Sequence, residues 1–298
     1  MRIVLVLMLI VAISIGSLWW PRRGIMAVVR VGGFPIDHQS EVRAAKLLSW
    51  MPAGAANAVR PMLEDRASWL STDEQITLVD MTRSNVDGAW FAKLRRFPQL
   101  VRVSVLASQL DEGIEELSRI STLKAVWVEG TDSTTDLSEL KRIPTLTTVM
   151  LSKPPNTSCH LNGLRDAPQL KTVFLIGAAH TALHLEEIGQ LDQLERLTLE
   201  NCIVQDGDFL ALGCLNNHLT TLAVSGRRPV GATGLKHIAL IKSLQRLTLS
   251  PCSATDDELQ SLVDLHHLKD LSLRGPNFTP DGIDRLKQAL PKCVIDAR

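Results

Sequence analysis

Leu194-Glu195-Arg196-Leu197-Thr198-Leu199, Leu219-Thr220-Thr221-Leu222-Ala223-Val224, Leu244-Gln245-Arg246-Leu247-Thr248-Leu249 and Leu268-Lys269-Asp270-Leu271-Ser272-Leu273 are four copies of one phrase, L-x-x-L-x-L. Upstream the phrase recurs as LKAVWV from Leu123, LTTVML from Leu146 and LKTVFL from Leu170, and in looser form from Ile76 and Leu100. The starts are spaced by 23 to 25 residues. A unit of that size cannot bury its apolar side alone, so consecutive copies must stack and share one core. Within each copy the three apolar positions point inward from a short parallel strand. The remainder of the unit returns over the opposite, convex side as a helix or helical turn.

The return segments carry a phrase of their own, as in Thr255-Asp256-Asp257-Glu258-Leu259-x-x-Leu262 and Thr279-Pro280-Asp281-Gly282-Ile283-x-x-Leu286. Thr233-Gly234-Leu235 and Asp111-Glu112-Gly113-Ile114 echo it. Thr or Asp can cap a helix start, and the apolar pair three residues apart faces the core. Cys202 and Cys252 stand three residues after the last strand leucine, where such repeats carry Asn or Cys. Elsewhere that position holds Ser84, Ser108, Thr131, Pro154, Ala178, Arg227 and Pro276, so no continuous hydrogen-bonded ladder and a slightly irregular solenoid are expected.

With these phrases the chain resembles the cysteine-containing and ribonuclease-inhibitor-like leucine-rich repeats over residues 76 to 298. The resemblance implies an α/β solenoid, with a curved parallel β-sheet on the concave side and helices or helical turns on the convex side. The arrangement also resembles planctomycete-type membrane-anchored leucine-rich-repeat proteins, in which a membrane helix and a GGxVxYD-like entry precede the array. Here the entry reads Val31-Gly32-Gly33-Phe34-Pro35-Ile36-Asp37, with Ile36 where that pattern has an aromatic residue. Proteins of that kind mostly lack a defined activity.

Residues 3 to 20, IVLVLMLIVAISIGSLWW, are an uncharged run of 18. At about 1.5 Å per helical residue it spans roughly the ~30 Å hydrocarbon core of a bilayer. Trp19 and Trp20 followed by Pro21, Arg22 and Arg23 resemble an interfacial anchor with a charged stop rather than a cleavage site. Residues 1 to 23 are therefore expected to be a single-pass membrane anchor. Arg2 with the amino terminus nearly balances Arg22, Arg23 and Arg30, so the side on which the large domain lies stays open. Residues 24 to 75 are expected to cap the first repeat, with Ser40 to Trp50 at helical spacing, and Leu290 to Ile295 to close the array.

Composition narrows the function. Lys plus Arg (32) equals Asp plus Glu (32), so no basic excess exists to displace counterions from a phosphate backbone, and nucleic acid is not an expected partner. Cys159, Cys202, Cys214, Cys252 and Cys293 show no C-x-x-C spacing and read as free, mostly buried thiols. Cys202 and Cys252 lie two repeats apart, roughly 10 Å, beyond the reach of a disulfide. His160 and His184 stand at one register position, with His180 and Cys159 near them, but the tight spacings of a zinc motif are missing and convex histidines are expected to be solvated. Asp256-Asp257 and Glu186-Glu187 are acidic pairs at expected helix starts, where solvation explains them. Asn156-Thr157-Ser158 and Asn277-Phe278-Thr279 match the glycosylation pattern only weakly. No nucleophile elbow, phosphate loop, dinucleotide motif or H-E-x-x-H appears. No enzyme, cofactor, resident metal or small-molecule substrate is expected.

The third and fifth residues of each L-x-x-L-x-L point onto the concave face. The fifth positions read Asp80, Ser104, Trp127, Met150, Phe174, Thr198, Ala223, Thr248 and Ser272. Trp127, Met150 and Phe174 fall on consecutive strands and would form a patch about 10 Å across, extended by Ile176. Arg102, Arg196 and Arg246, at third positions, would give it a partly cationic rim. Exposed clusters of this kind often mark binding sites, and a carboxylate-bearing protein partner suits this one. The alternatives are that the patch packs on the cap, that the chain is an envelope protein without a specific ligand, or that it is an adaptor like the substrate-recognition subunits of ubiquitin ligases. No F-box-like segment precedes the array.

Overall fold

The computed structural model describes residues 77–82, 91–130, 137–152, 161–178 and 182–298. The apolar run 3–20, the entry phrase 31–37 and the expected cap 24–75 lie outside them. The described residues form one sheet of ten parallel strands, ordered in space as in sequence. The strands are β1 (Leu78–Asp80), β2 (Arg102–Leu106), β3 (Ala125–Glu129), β4 (Thr148–Ser152) and β5 (Thr172–Ile176), then β6 (Arg196–Glu200), β7 (Thr221–Val230), β8 (Arg246–Cys252), β9 (Asp270–Leu273) and β10 (Val294–Ala297).

Register is set at the start of β2 to β9 by one backbone device. The carbonyl of Thr77 accepts the N–H groups of both Val101 and Arg102, and Val101, Lys124, Thr147, Lys171, Glu195, Thr220 and Gln245 each do the same for the next repeat. Third positions consequently sit beside third positions from Leu78 and Arg102 through to Asp270 and Val294. The only register shift in the ladders lies in the tail of β7, between Ser225 and Val230. The first, fourth and sixth residues of the phrase then stack in three apolar rows. Leu100, Leu123, Leu146, Leu170, Leu194, Leu219 and Leu244 are fully buried, as are Val126, Val149 and Val173.

Among the described residues five α-helices return the chain: α1 (Ala107–Ser118), α2 (Ala182–Ile188), α3 (Ala232–Ile238), α4 (Asp256–Leu259) and α5 (Pro280–Ala289). Between them run 3₁₀ segments at Ala92–Arg96, Ser138–Arg142, Leu161–Asp166, Asp206–Leu215 and Gln260–Leu262. The apolar spacing of these segments is three. Leu137, Leu140, Ile143 and Leu146 are all fully buried, as are Phe209, Leu212 and Leu215. In a 3₁₀ helix residues three apart eclipse, so this spacing makes one straight apolar stripe where an α-helix would fan it out.

At three junctions a hydroxyl joins neighbouring repeats, one position before the first leucine of the phrase rather than at the Asn/Cys position. Thr122 Oγ1 donates to the Leu100 carbonyl at 2.8 Å, Thr145 Oγ1 to the Leu123 carbonyl at 2.5 Å and Ser243 Oγ to the Leu219 carbonyl at 2.7 Å. At the Asn/Cys position, the buried Cys202 thiol reaches the Leu175 carbonyl at 3.3 Å.

Helix starts are satisfied in two alternating ways. Gln109, Asp208 and Glu258 reach back to the N–H of the residue three before them, at 2.8, 2.9 and 2.7 Å. The helices that follow the last two of these are instead served by the preceding repeat. Asp206 accepts from Gly231 N–H at 2.9 Å, and Asp256 accepts from Thr279 N–H at 2.8 Å and from its hydroxyl at 2.6 Å. Thr279 Oγ1 in turn accepts from Gly282 N–H at 3.1 Å. Asp256 was expected to be a solvated residue, but its side chain is only 16% exposed because it spans the gap between repeats. The two Thr279 donors hold its carboxyl below the usual 3.8. This contact also requires glycine, since a Cβ at Gly282 would fall 2.1 Å from the Asp256 carboxylate, and one at Gly234 2.7 Å from that of Asp206. The C-terminal repeats are thus coupled in pairs, with Asp206 and Asp256 in equivalent places 50 residues apart.

Gly282→Ala should lower stability by about 1–3 kcal/mol, the usual cost of overpacking. In an Asp256→Ala background the same change should cost less than half as much, by urea denaturation in a double-mutant cycle. Equal costs in the two backgrounds would show that the clash is not with Asp256.

Candidate protein-interaction surface

The register places the predicted concave residues in straight columns. Ser104, Trp127, Met150, Phe174 and Thr198 are direct neighbours across β2 to β6, and Ile176 lies beside Ser152 and Glu200 one column on. Trp127, Met150, Phe174 and Ile176 are all half-buried, whereas the inward residues between them, Val126, Val128, Val149 and Leu151, are fully buried. Strand spacing of about 4.8 Å puts Trp127 and Phe174 about 10 Å apart. The solenoid core is complete without this patch.

The arginines divide. Arg102 lies next to Ala125, one column from the patch, and is half-buried. Arg196 is exposed beside Thr172 and Thr221 and has no ion-pair partner among the described residues. Arg246 instead lies 3.4 Å from Asp270 on β9, at the same position of the next repeat. Of the three arginines expected at the rim, Arg102 and Arg196 flank the patch, and Arg246 pairs with Asp270. Glu129 and Glu200 bound the far side of the patch at the strand ends.

Occlusion of the concave face is uneven in a way the sequence did not signal. On β2 to β5 no third- or fifth-position side chain is exposed, and Ser104 is only 5% exposed. On β6, β8 and β9, Arg196, Arg246, Thr248 and Asp270 are exposed. Trp127 Nε1 and Arg102 Nε are both shut off from solvent, with no hydrogen-bond partner among the described residues.

The other predicted chemistry is absorbed by the fold. His184 is fully buried rather than solvated, because α2 turns it inward beside Leu185. His160, His180 and Cys159 lie outside the described residues, among which no three His, Cys, Asp or Glu side chains cluster as metal ligands would. Glu187 of the second acidic pair accepts from Leu161 N–H at 3.1 Å, tying two repeats together. Cys202, Cys214, Cys252 and Cys293 are unpaired thiols, of which Cys202 and Cys252 are buried and Cys214 is exposed. Burial pushes the Cys202 and Cys252 thiols up and that of Cys293 to about 11, which disfavours the reactive thiolate. Asn277 Nδ2 donates to the Ser253 carbonyl at 2.6 Å, while 156–158 lies outside the described residues.

Trp127→Ser combined with Phe174→Ser should cost about 1 kcal/mol or less, as for surface positions. Leu175→Ala, in the adjacent buried row, should cost about 2–5 kcal/mol. Comparable losses in urea denaturation would place the aromatic pair in the folding core instead.

No protein-family model matches the chain, and no curated protein matches it significantly. Among solved structures it is similar to a leucine-rich-repeat protein of Leptospira interrogans, at 15% identity over 75% of this chain and 72% of that one, with a TM-score of 0.35. It is also similar to an internalin of Listeria monocytogenes, at 12% identity over 82% and 94%, TM-score 0.35. A third likeness is to a chain of the Toll–Spätzle complex of Drosophila, at 13% identity over 74% of this chain and 31% of that one, TM-score 0.46. By its own period, its unbroken strand register and its stacked leucine rows, the chain is a leucine-rich-repeat solenoid.

Proposed function

We propose that the chain is a protein-recognition module that holds a partner on the concave face of its solenoid, tethered to a membrane by residues 3 to 20. The observation that carries the recognition reading is the alignment of Trp127, Met150 and Phe174 on three adjacent strands, in a column that the core does not use. Large apolar side chains side by side outside the folding core are typical anchors of protein interfaces. The reading assigns no reaction and no cofactor to the chain.

Full-length protein should capture a specific partner from an extract of its own cells, and Trp127→Ser with Phe174→Ser should abolish that capture while folding is retained. Capture unaffected by the substitutions would remove the concave patch from the function. The absence of any partner would favour an envelope spacer without a specific ligand.

The tether rests on the uncharged run and its Trp19-Trp20-Pro21-Arg22-Arg23 ending. Among the described residues no helix is long and apolar enough to cross a membrane. The protein should remain in the membrane fraction after alkaline carbonate extraction, and a chain beginning at residue 24 should not. Release of the full-length protein by carbonate would rule out an integral anchor. Protease protection on intact cells would then fix the side of the solenoid.

A further inference from the structure

The concave face of β2 to β5 is withdrawn from solvent, yet no described helix or strand lies over it. The sheet is its floor, and the described helices and 3₁₀ segments pack into the core on the other side. Within the single chain Trp127 Nε1 and Arg102 Nε are nevertheless closed to solvent, and Ser104 and Ser152 are only 5% and 8% exposed. Crowding along a column does not account for this. Ser225 stands in the column of Ser152, two strands beyond Ile176, and is exposed. Thr248, in the column of Ser104 and Trp127, is exposed as well.

The cover therefore comes from outside the described residues, and it reaches Arg102 at the start of β2. The internal stretches outside them span at most eight residues and rejoin the chain on the convex side. Running back along a strand to the level of Arg102 and out again takes about 26 Å, and eight extended residues span at most about 28 Å. Too little is left to cross to the convex side. Residues 1–76 are long enough, and they join the sheet at β1, beside the withdrawn strands. Exposed positions appear from β6 onward, away from that junction.

We propose that residues 24–75 dock on this face, with the stretch 40–50 lying across β2 to β5 and its apolar side on Trp127, Met150 and Phe174. Wound as the helix its spacing predicts, the stretch is about 16 Å long, against about 14 Å from β2 to β5. Leu47, Leu48 and Trp50 supply large apolar side chains that otherwise stand in water. The end of the solenoid at β1, a strand of three residues, offers them less area than three neighbouring strands do. Docking adds a layer to a finished core, so its release leaves the solenoid folded. Its consequence for a partner rests on the recognition reading above, because the chain then holds the patch assigned to that partner. A partner binds only the fraction of molecules in which the segment is displaced, and its apparent affinity falls by that fraction.

The test is photo-crosslinking in full-length protein held one molecule per lipid nanodisc, with p-benzoylphenylalanine replacing Phe174 or, as a control in the same column, Thr248. Crosslinks from position 174 should form within the monomer and map to residues 24–75, at about ten times the yield from position 248 or more. Leu47→Asp with Trp50→Asp should cut that yield about tenfold, while the buried Cys202 stays unreactive to maleimide and so reports an intact solenoid. With Phe174 in place, the same double substitution should speed peroxide oxidation of Met150 severalfold. Crosslinks to a second copy, to an internal stretch or to no part of the chain would overturn the docking, as would equal yields from the two positions. The comparison of positions 174 and 248 decides the matter even where the double variant fails to fold. Capture of a partner should become severalfold stronger with Leu47→Asp and Trp50→Asp. If position 174 crosslinks to residues 24–75 while capture ignores Trp127 and Phe174, docking stands and recognition at the patch fails. If capture depends on both residues while position 174 finds no part of 24–75, recognition stands and docking fails.

Discussion

From β1 to β9 one carbonyl per repeat, accepting two N–H groups from the next, fixes where each strand begins relative to its neighbour. Everything else in the array inherits that alignment. A shift of one residue would turn the leucine rows outward and bring the polar columns into the core. Because the device is made of backbone atoms, side chains at the second position can vary from Thr77 to Lys124 to Glu195 without disturbing it. The stacking itself supplies the hydrophobic stabilisation, as each repeat touches only its immediate neighbours.

Strict alignment also separates the folding core from the concave columns. The residues between the buried rows of each strand carry little of the core, and the backbone they stand on is rigid and evenly spaced. Side chains there stand in a fixed array, so the recognition proposed for them would cost little conformational freedom. The ion pair between Arg246 and Asp270 shows the same columns being used to quieten one part of the face, away from the aromatic patch.

How much of this can be read from sequence depends on how far apart the interacting residues are in repeat position. The rows, the strands and the column of Trp127, Met150 and Phe174 are legible because the spacing is nearly constant and the period fixes which residues share a face. The Arg246–Asp270 pair was available in principle, as opposite charges at the same position of consecutive repeats. The contact from Asp256 to Thr279 was not, because it joins the first turn of one helix to the cap of the next, at an offset set by loop conformation. Its trace in the sequence is a glycine, Gly282, whose reason is visible only once the carboxylate is placed. His184 misled for a similar cause: repeat position put it on the convex side, but the rotation of a short helix decided its burial. The hydroxyls of Thr122, Thr145 and Ser243 lie one residue before the phrase that defines the repeat, where no periodic apolar signal draws attention to them.

Pairwise coupling through Asp206 and Asp256 bears on how such an array can change length. Removing the single repeat that begins at Leu219 would set Asp206 against the helix start at Thr255, whose N–H is already taken by Glu258. The carboxylate would face no donor, and the glycine that makes room for it would be gone. Removing two repeats together restores the original pairing of acid, donor and glycine. In the C-terminal half of this solenoid the match of acid, donor and glycine therefore recurs after 50 residues, a larger step than the leucine period implies.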